Sequence, residues 1–531
     1  MNTLNQTRSS SKRDGAGKKN RSLAPKTPLG IFALAFAILS VLSGCWAVAS
    51  PLMSYPDEIA HVVKAAAVAR GELTGTPDSD VGQTVSVQVP EWVKSSAAFG
   101  CYQFRPQATP SCAVPSLADP DATTTAVTTA GSYNPMYYAI VGLPSLVMSG
   151  LKTFYAMRLV SVILSCIFLA AMFMALSQLA RKRWVMIAAV VSITPMVLFL
   201  NGGVNPNSLE FATTGAIFAN LLLLLERHKD RSIYLKTVPW VVVGAAMLAN
   251  TKGASLLWML VAVVVVFLLA EKGAIATILR RPIVWAGIGV IGLSTLFAIV
   301  WIFSTNALQS KPYPGAGSTS FSQGFENMTD RTFDMAKGLI GEFGWLDTPA
   351  PTGVIWVWVL LGGVLIVGAL AISRGRTLYA LITAVASLLL LGPILQASVV
   401  ATQGYIWQGR YVLALFIVVM LTAGVALDRS LGEYNWSRPL KRLVTVGIAL
   451  LVVAQSYAFL WALRRYVVGI ADGVYWRAMI TAPQWQPPLG WIPVFVIFSL
   501  SLLATGIYLY RVSSNWLKKP AVELEPHQPA D

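Results

Sequence analysis

Charged residues are scarce. Asp, Glu, Lys and Arg make up 12% of the 531 residues, against 55% hydrophobic, whereas a water-soluble domain carries about a quarter charged. That shortage excludes an ordinary soluble fold. Histidine numbers three, and two of these, His228 and His527, fall in segments assigned below to the cytoplasmic side, which excludes a histidine-rich metal centre. There is no Walker-type glycine loop, no Cys/His metal cluster and no serine-hydrolase elbow, so nothing in the sequence supports nucleotide hydrolysis. The net charge of +16 sits in short loops between apolar runs and accompanies no DNA- or RNA-binding motif. Nucleic acid is not an expected partner.

What the chain does have is long apolar runs. Residues 29–56, 159–180, 282–310, 348–373, 377–409 and 478–510 contain no Asp, Glu, Lys or Arg. Each matches or exceeds the roughly 20 residues that carry a helix across about 30 Å of hydrocarbon. The expected fold is an all-α polytopic membrane protein of about twelve transmembrane helices. The spans are placed near 29–50, 156–180, 184–201, 208–225, 236–251, 253–270, 282–303, 353–372, 377–395, 410–427, 443–463 and 490–510. The first run is too long for a typical signal h-region and no small-x-small site follows it before Pro51, so it reads as a retained span.

One apolar stretch, Pro135–Leu151, decides the topology. Were it to span, the basic clusters Arg181-Lys182-Arg183, Arg280-Arg281, Arg374/Arg376 and Lys441-Arg442 would face outward, against the positive-inside rule. Placing it in the outer interface puts 26 of the 40 Lys and Arg inside, with both termini in the cytoplasm. Residues 1–27 are then a disordered basic tail and 28–512 the transmembrane domain, followed by a tail at 513–531. Two large outer loops cover 51–155, with interfacial helices, and 304–352. Loops of that size in a compact protein usually carry function. Cys101 and Cys112 lie in the first of them, where an oxidising compartment permits a disulfide. Cys45 and Cys166 lie in spans and read as packing residues.

The densest chemistry follows the first span, in Ser54-Tyr-Pro-Asp-Glu-Ile-Ala-His. Pro56 suits a first helical turn and Gly71 a stop, and Ile59, Val62, Val63 and Ala66 recur at helical spacing, so an amphipathic surface helix is expected. Asp57 and Glu58 could simply complement the helix dipole. With His61 three to four residues on, they also form an acid/base set at the bundle mouth. Arg158, Lys252 and Arg410 sit at other outer helix ends, either as interfacial anchors or as ligands for a phosphate. The amide-rich turn Asn201–Ser208 and Asp347 read as caps or as further polar contacts. Asp57 and Glu58 could take a divalent cation, although no metal or other cofactor is required by the sequence.

Taken together, Pro56-Asp57-Glu58-x-x-His61, Asn134-Pro-Met-Tyr137-Tyr138, Arg158-Leu-Val-Ser161, Asn201…Asn205-Pro-Asn-Ser208, Thr251-Lys252-Gly, Phe343-Gly-Trp-Leu-Asp347 and Gln408-Gly-Arg410-Tyr411 resemble a family of bacterial membrane proteins, domain-of-unknown-function family 2142. That family is similar in architecture to the GT-C class of membrane glycosyltransferases. The resemblance implies a GT-C-like bundle in a bacterial plasma membrane, a catalytic carboxylate on the first outer loop, and a sugar donor carried on polyprenyl phosphate. Two positions depart from the family pattern. Asn207 stands where an Asp is frequent, and Gly253 follows Lys252 where a Pro is frequent.

On this reading Asp57 is the general base, Glu58 orients it or the acceptor, and Arg158, Lys252 and Arg410 hold the donor phosphate. His61, Tyr137, Tyr138, Asn205, Asp347, Gln408 and Tyr411 complete the substrate site. The expected partners are the bilayer, the lipid-linked sugar and a cell-envelope acceptor. Two other readings stand beside it: a transporter or flippase for a lipid or small solute, and a non-catalytic envelope assembly factor. The sequence shows no internal repeat of the kind transporters often carry.

Overall fold

The computed structural model describes residues 27–77, 84–113, 121–307, 317–432 and 438–515. Both predicted tails lie almost wholly outside these residues. The principal helices, in chain order, are α1 (Pro28–Ala49), α2 (Glu58–Ala69), α3 (Pro135–Val141), α4 (Leu151–Leu176), α5 (Arg183–Ser192), α6 (Pro195–Asn201), α7 (Pro206–Glu226), α8 (Arg231–Ala249), α9 (Ser255–Leu269), α10 (Pro282–Ser304), α11 (Phe321–Asp330), α12 (Thr352–Ile372), α13 (Gly375–Gln403), α14 (Leu413–Leu431), α15 (Arg438–Val468) and α16 (Trp491–Asn515).

Among the described residues ten helices are long and apolar enough to cross a membrane, or eleven if the bent pair α5–α6 counts as one span. Each of the twelve expected apolar segments is helical, but two differ from a simple span. The third breaks by 63° between α5 and α6. Pro195 opens α6 without an N–H to donate, and Thr194 before it is held extended while its hydroxyl caps Val197 N at 3.3 Å. The sixth, α9, is only 15 residues long, roughly 22 Å, because Gly253 and Ala254, the first two residues expected in it, belong to the turn that follows α8. Pro135–Leu151 is likewise no continuous helix. It divides into α3, a 3₁₀ turn at Leu143–Leu146 and the start of α4.

The middle of the bundle is α7, buried along its whole length, with α4, α8, α9 and α14 packed around it. The far ends of α4, α7, α9 and α14 surround a cavity of about 450 Å³ lined by Arg181, Glu226, Glu271 and Arg429. These four helices therefore run in one direction, and their N-terminal ends meet at the opposite pole.

That pole is covered by the loop after α1, which the sequence did not show to contain strands. β1 (Thr76–Pro77), β2 (Val85–Pro90) and β3 (Thr123–Thr128) form an antiparallel sheet in that order. Val87 and Val89 alternate inward, as a strand with one covered face requires. The sheet covers α2, and Thr128 Oγ1 donates to Ala60 O at 2.8 Å. A second, two-stranded sheet pairs β4 (Glu342–Phe343) with β5 (Thr348–Pro349).

The expected amphipathic surface helix is instead an internal one. α2 starts at Glu58 and ends at Ala69, with Gly71 at φ +91° after it. Its polar positions are buried with the apolar ones. Lys64, on the face expected to meet water, is fully buried and donates to the carbonyls of Leu73 and Gly131, the latter at 2.6 Å. Burial brings its ammonium down to about 8, against the pull of Glu72.

Cys101 and Cys112 are bonded, with their Cα atoms 6.1 Å apart. Arg465 of α15 secures the loop they close, donating to the carbonyls of Tyr102, Arg105 and Ala108. Alkylation of the denatured, unreduced protein is therefore expected to modify Cys45 and Cys166 only, by peptide mass. Modification of Cys101 or Cys112 as well would contradict the pairing.

Candidate functional site

The site is built on the turn that leads into α2. Asp57 has φ +61° and ψ 9°, in the left-handed region, which short polar side chains tolerate best after glycine. Its carbonyl starts the helix by accepting from His61 N at 3.1 Å. Its carboxylate caps no helical N–H, although aspartate at this position ordinarily does. Instead Oδ2 accepts from Arg410 Nη2 at 2.6 Å, and the side chain keeps 47% of its surface exposed.

Glu58, the next residue, points elsewhere and is 1% exposed. Arg158 Nε and Nη2 each donate to one of its oxygens at 2.7 Å. Arg158 also donates to the carbonyls of Ala47, Ser50 and Pro51 at 2.6–2.9 Å. All five guanidinium N–H groups are then engaged. Glu58 Oε1 further accepts from Val204 N at 3.2 Å. This pair ties the end of α1, the start of α2, α4 and the turn before α7 into one block. It leaves Arg158 no donor for a phosphate and Glu58 no surface for an acceptor. This geometry does not match the phosphate contact expected of Arg158, and of the two roles expected of Glu58, orienting Asp57 or the acceptor, it is compatible with the first.

Asn205 serves the same end. Its Oδ1 caps α7 through Asn207 N at 3.0 Å, and its Nδ2 donates to Pro56 O at 2.9 Å. The chain passes close here, since a Cβ on Gly203 would collide with the Tyr55 ring.

Two cations face Asp57. Arg410 is 1% exposed, with Nε on Gln408 Oε1 at 2.5 Å and Nη2 on Asp57, while Nη1 has no hydrogen-bond partner. A buried guanidinium nitrogen without a partner is costly. Lys252 donates to Asn207 Oδ1 at 2.9 Å and lies 5.2 Å and 5.7 Å from the ring centroids of Tyr411 and Tyr133, within cation–π range. Burial would raise the Asp57 carboxyl, but Arg410, His61 and Lys252 together hold it below its ordinary value. Burial lowers the Lys252 ammonium.

The remaining predicted residues divide. His61 is buried, and its Nδ1 is 2.9 Å from Tyr138 Oη. Burial takes its pKa down to about 3, so the ring is neutral near pH 7. Tyr137 turns to Ser161 Oγ at 2.8 Å and is fully buried. Tyr411 and Gln408 belong to the Arg410 group. Asp347 does not join it, because its carboxylate binds Arg465 at 3.3 Å and Thr348 Oγ1 at 2.8 Å. Among the described residues no three His, Cys, Asp or Glu side chains come together in a form that could hold a metal ion.

One residue at the site went unread in the sequence. Glu210 of α7 is 3% exposed and accepts from Asn207 Nδ2 at 2.9 Å and Ser255 Oγ at 2.6 Å. Its signal was present: a lone carboxylate within an apolar span is costly and a functional candidate.

Residues 40–420 match the family model of predicted membrane proteins designated DUF2142. No curated protein matches the chain. Among solved structures it is similar to ArnT from Cupriavidus metallidurans in the apo state, with 11% identity and a TM-score of 0.44. It is also similar to the same protein bound to undecaprenyl phosphate, with 12% identity and a TM-score of 0.45. Each match covers 92% of this chain and 77% of the other.

The division between the adjacent carboxylates can be measured. Glu58→Gln leaves Arg158 buried without its counter-charge and is expected to destabilise the protein by about 3–5 kcal/mol. Asp57→Asn also takes the carboxylate from a buried arginine, Arg410, but at a half-exposed position whose amide oxygen can still accept from Nη2. The expected loss, read from melting in detergent, is therefore smaller, about 1–2 kcal/mol. Equal losses in the two variants would contradict the assignment.

Proposed function

We propose that this chain, which belongs to the DUF2142 family of predicted membrane proteins, is a GT-C-like membrane glycosyltransferase. In this reading it moves a sugar from a polyprenyl-phosphate donor to a cell-envelope acceptor. The observation that carries the proposal is the grouping of one half-exposed carboxylate, Asp57, with a buried arginine whose Nη1 is unpartnered and with Lys252. The N-termini of α7 and α9 meet at the same place, and their helix dipoles also favour negative charge.

The chemistry follows from the arrangement. An acceptor hydroxyl must lose its proton as its oxygen attacks the anomeric carbon, and Asp57 is the base within reach of solvent and substrate. As the bond from that carbon to the phosphate oxygen breaks, charge collects on the phosphate. Arg410 and Lys252 stabilise it there. Gln408 and Asn207 hold the two cations, and Tyr133 and Tyr411 flank Lys252. The prenyl chain lies between helices, open to lipid.

The site occupies the pole opposite Arg181, Arg429 and Arg376. The positive-inside rule assigns that basic end to the cytoplasm, so the site faces outward in a bacterial plasma membrane, with both termini inside. A transporter would instead need ionisable groups near the midplane with access to both sides, whereas these cluster at one pole.

With protein abundance matched, Asp57→Asn is expected to remove one defined envelope glycan linkage and to lower transfer in vitro by on the order of 10²–10⁴-fold. Linkage analysis of parent and variant reads the first. An unchanged glycan profile, with full transfer in vitro, would sink the enzyme reading.

The pH profile gives a second check. Asp57 is held below the ordinary carboxylate value of about 4, so it stays a base until the pH falls through that lowered value, and the acid limb of activity lies below pH 4. His61, lowered by burial to about 3, is neutral between about pH 5 and 8 and contributes no inflection there. An inflection near pH 6.5 that His61→Asn abolishes would overturn this assignment.

A further inference from the structure

Glu210 touches neither Asp57 nor Arg410, yet its bonds lead to Lys252. The Asn207 side chain stands between them. Its Oδ1 accepts from Lys252 Nζ at 2.9 Å and its Nδ2 donates to Glu210 Oε2 at 2.9 Å, so the amide dipole is aligned from cation to anion. Ser255 closes the other side, accepting from Lys252 N at 3.1 Å and donating to Glu210 Oε1 at 2.6 Å. Both Glu210 oxygens thus receive donors, which suits a carboxylate rather than a carboxylic acid.

From this geometry we infer that Glu210 is the counter-charge that keeps Lys252 an ammonium ion while leaving it uncoordinated by any carboxylate. It is a positioning residue for the anion site proposed above, and the inference extends that reading. A carboxylate in direct contact would occupy the ammonium and compete with a phosphate. Set one amide away, Glu210 offsets part of the cost of burying the charge, and two ammonium N–H groups stay available for the ligand. This also gives the Asn at 207 a function: an Asp there would contact Lys252 directly.

The groups facing Lys252 from the surrounding elements are Glu210 from α7, Asp57 from the turn before α2, Arg410 and Tyr411 from the turn before α14, and Tyr133 from the segment before α3. Burial lowers the Lys252 ammonium most, Glu210 is the largest influence raising it, Arg410 lowers it further and Asp57 raises it. Glu210 is therefore the group whose removal is expected to release the proton.

Only the neutral amine reacts with acylating reagents, so Lys252 labelling against pH, read by peptide mass on the full-length protein in nanodiscs, reports its protonation without any ligand. Glu210→Gln is expected to move the labelling midpoint down by about one pH unit, about tenfold faster labelling at fixed pH. Asn207→Asp in the Glu210→Gln background restores a carboxylate beside Lys252 and is expected to return the midpoint to or above the parent's. Melting temperatures confirm that each variant is folded. Should Glu210→Gln not fold, Asn207→Leu breaks the same relay and carries the same expectation.

A folded relay variant with the parent's midpoint overturns the inference. Farnesyl phosphate binding, measured alongside at pH 6 and pH 9, separates it from the enzyme reading. A shifted midpoint with no binding by the parent would leave Glu210's role standing and remove the phosphate site. Binding by the parent that weakens between pH 6 and pH 9 at least tenfold more in Glu210→Gln supports both.

Discussion

The buried pair Glu58–Arg158 is the contact on which the rest of the site depends. Two charges removed from water cost several kcal/mol each, and that cost is offset only when every donor and acceptor is matched. Here they are matched. The guanidinium satisfies both carboxylate oxygens and three carbonyls at the end of α1, and Val204 N adds a further donor to Glu58. The C-terminal carbonyls of a helix lack partners within it, and Arg158 supplies them where no water need enter. Because α1, α2, α4 and the turn before α7 meet at this point, the left-handed conformation of Asp57 is fixed from several sides.

Around that anchor two buried cations are only partly answered by negative charge. Asp57 answers one nitrogen of Arg410 and leaves Nη1 open. Lys252 meets an amide oxygen and two aromatic faces in place of a carboxylate. Gln408 and Asn207 thus hold the two cations by neutral dipoles, and Glu210 stands one amide away from Lys252. The pattern also separates structural from chemical acidity. Glu58 and Asp347 are each committed to an arginine inside the protein, and Asp57 keeps nearly half its surface open.

The candidate site was partly legible in the chain. Asp57, Lys252 and Arg410 stood out because ionisable residues beside apolar runs are rare. Glu210 belongs to that same class and was passed over because it lies inside a segment whose overall composition reads as a span, whereas Arg465 falls just beyond the expected span 443–463 and reads as an ordinary loop charge. The buried course of α2 was hidden for a different reason. Its apolar spacing fits a helix lying on a membrane as well as one covered by protein, and the covering sheet comes from short strands rich in Thr and Val that carry little local signal. Lys64 gave no warning, since the two carbonyls that accept from it are contributed by other turns.

By itself the sequence determined that the chain crosses a membrane many times, where nearly all the apolar segments lie, and which short stretches carry ionisable groups. Those follow from local composition, because hydrocarbon excludes charge and demands internally bonded helices. Tertiary structure alone decided what each ionisable group does. Asp57 and Glu58 are neighbours in the chain, yet Asp57 sits in the left-handed turn before α2 and Glu58 in the first turn of the helix, so their side chains point apart. One therefore reaches Arg410, 353 residues away, and the other Arg158, 100 residues away. Partners at such separations are chosen by helix packing, and packing gives one carboxylate to the architecture and the other to the open site.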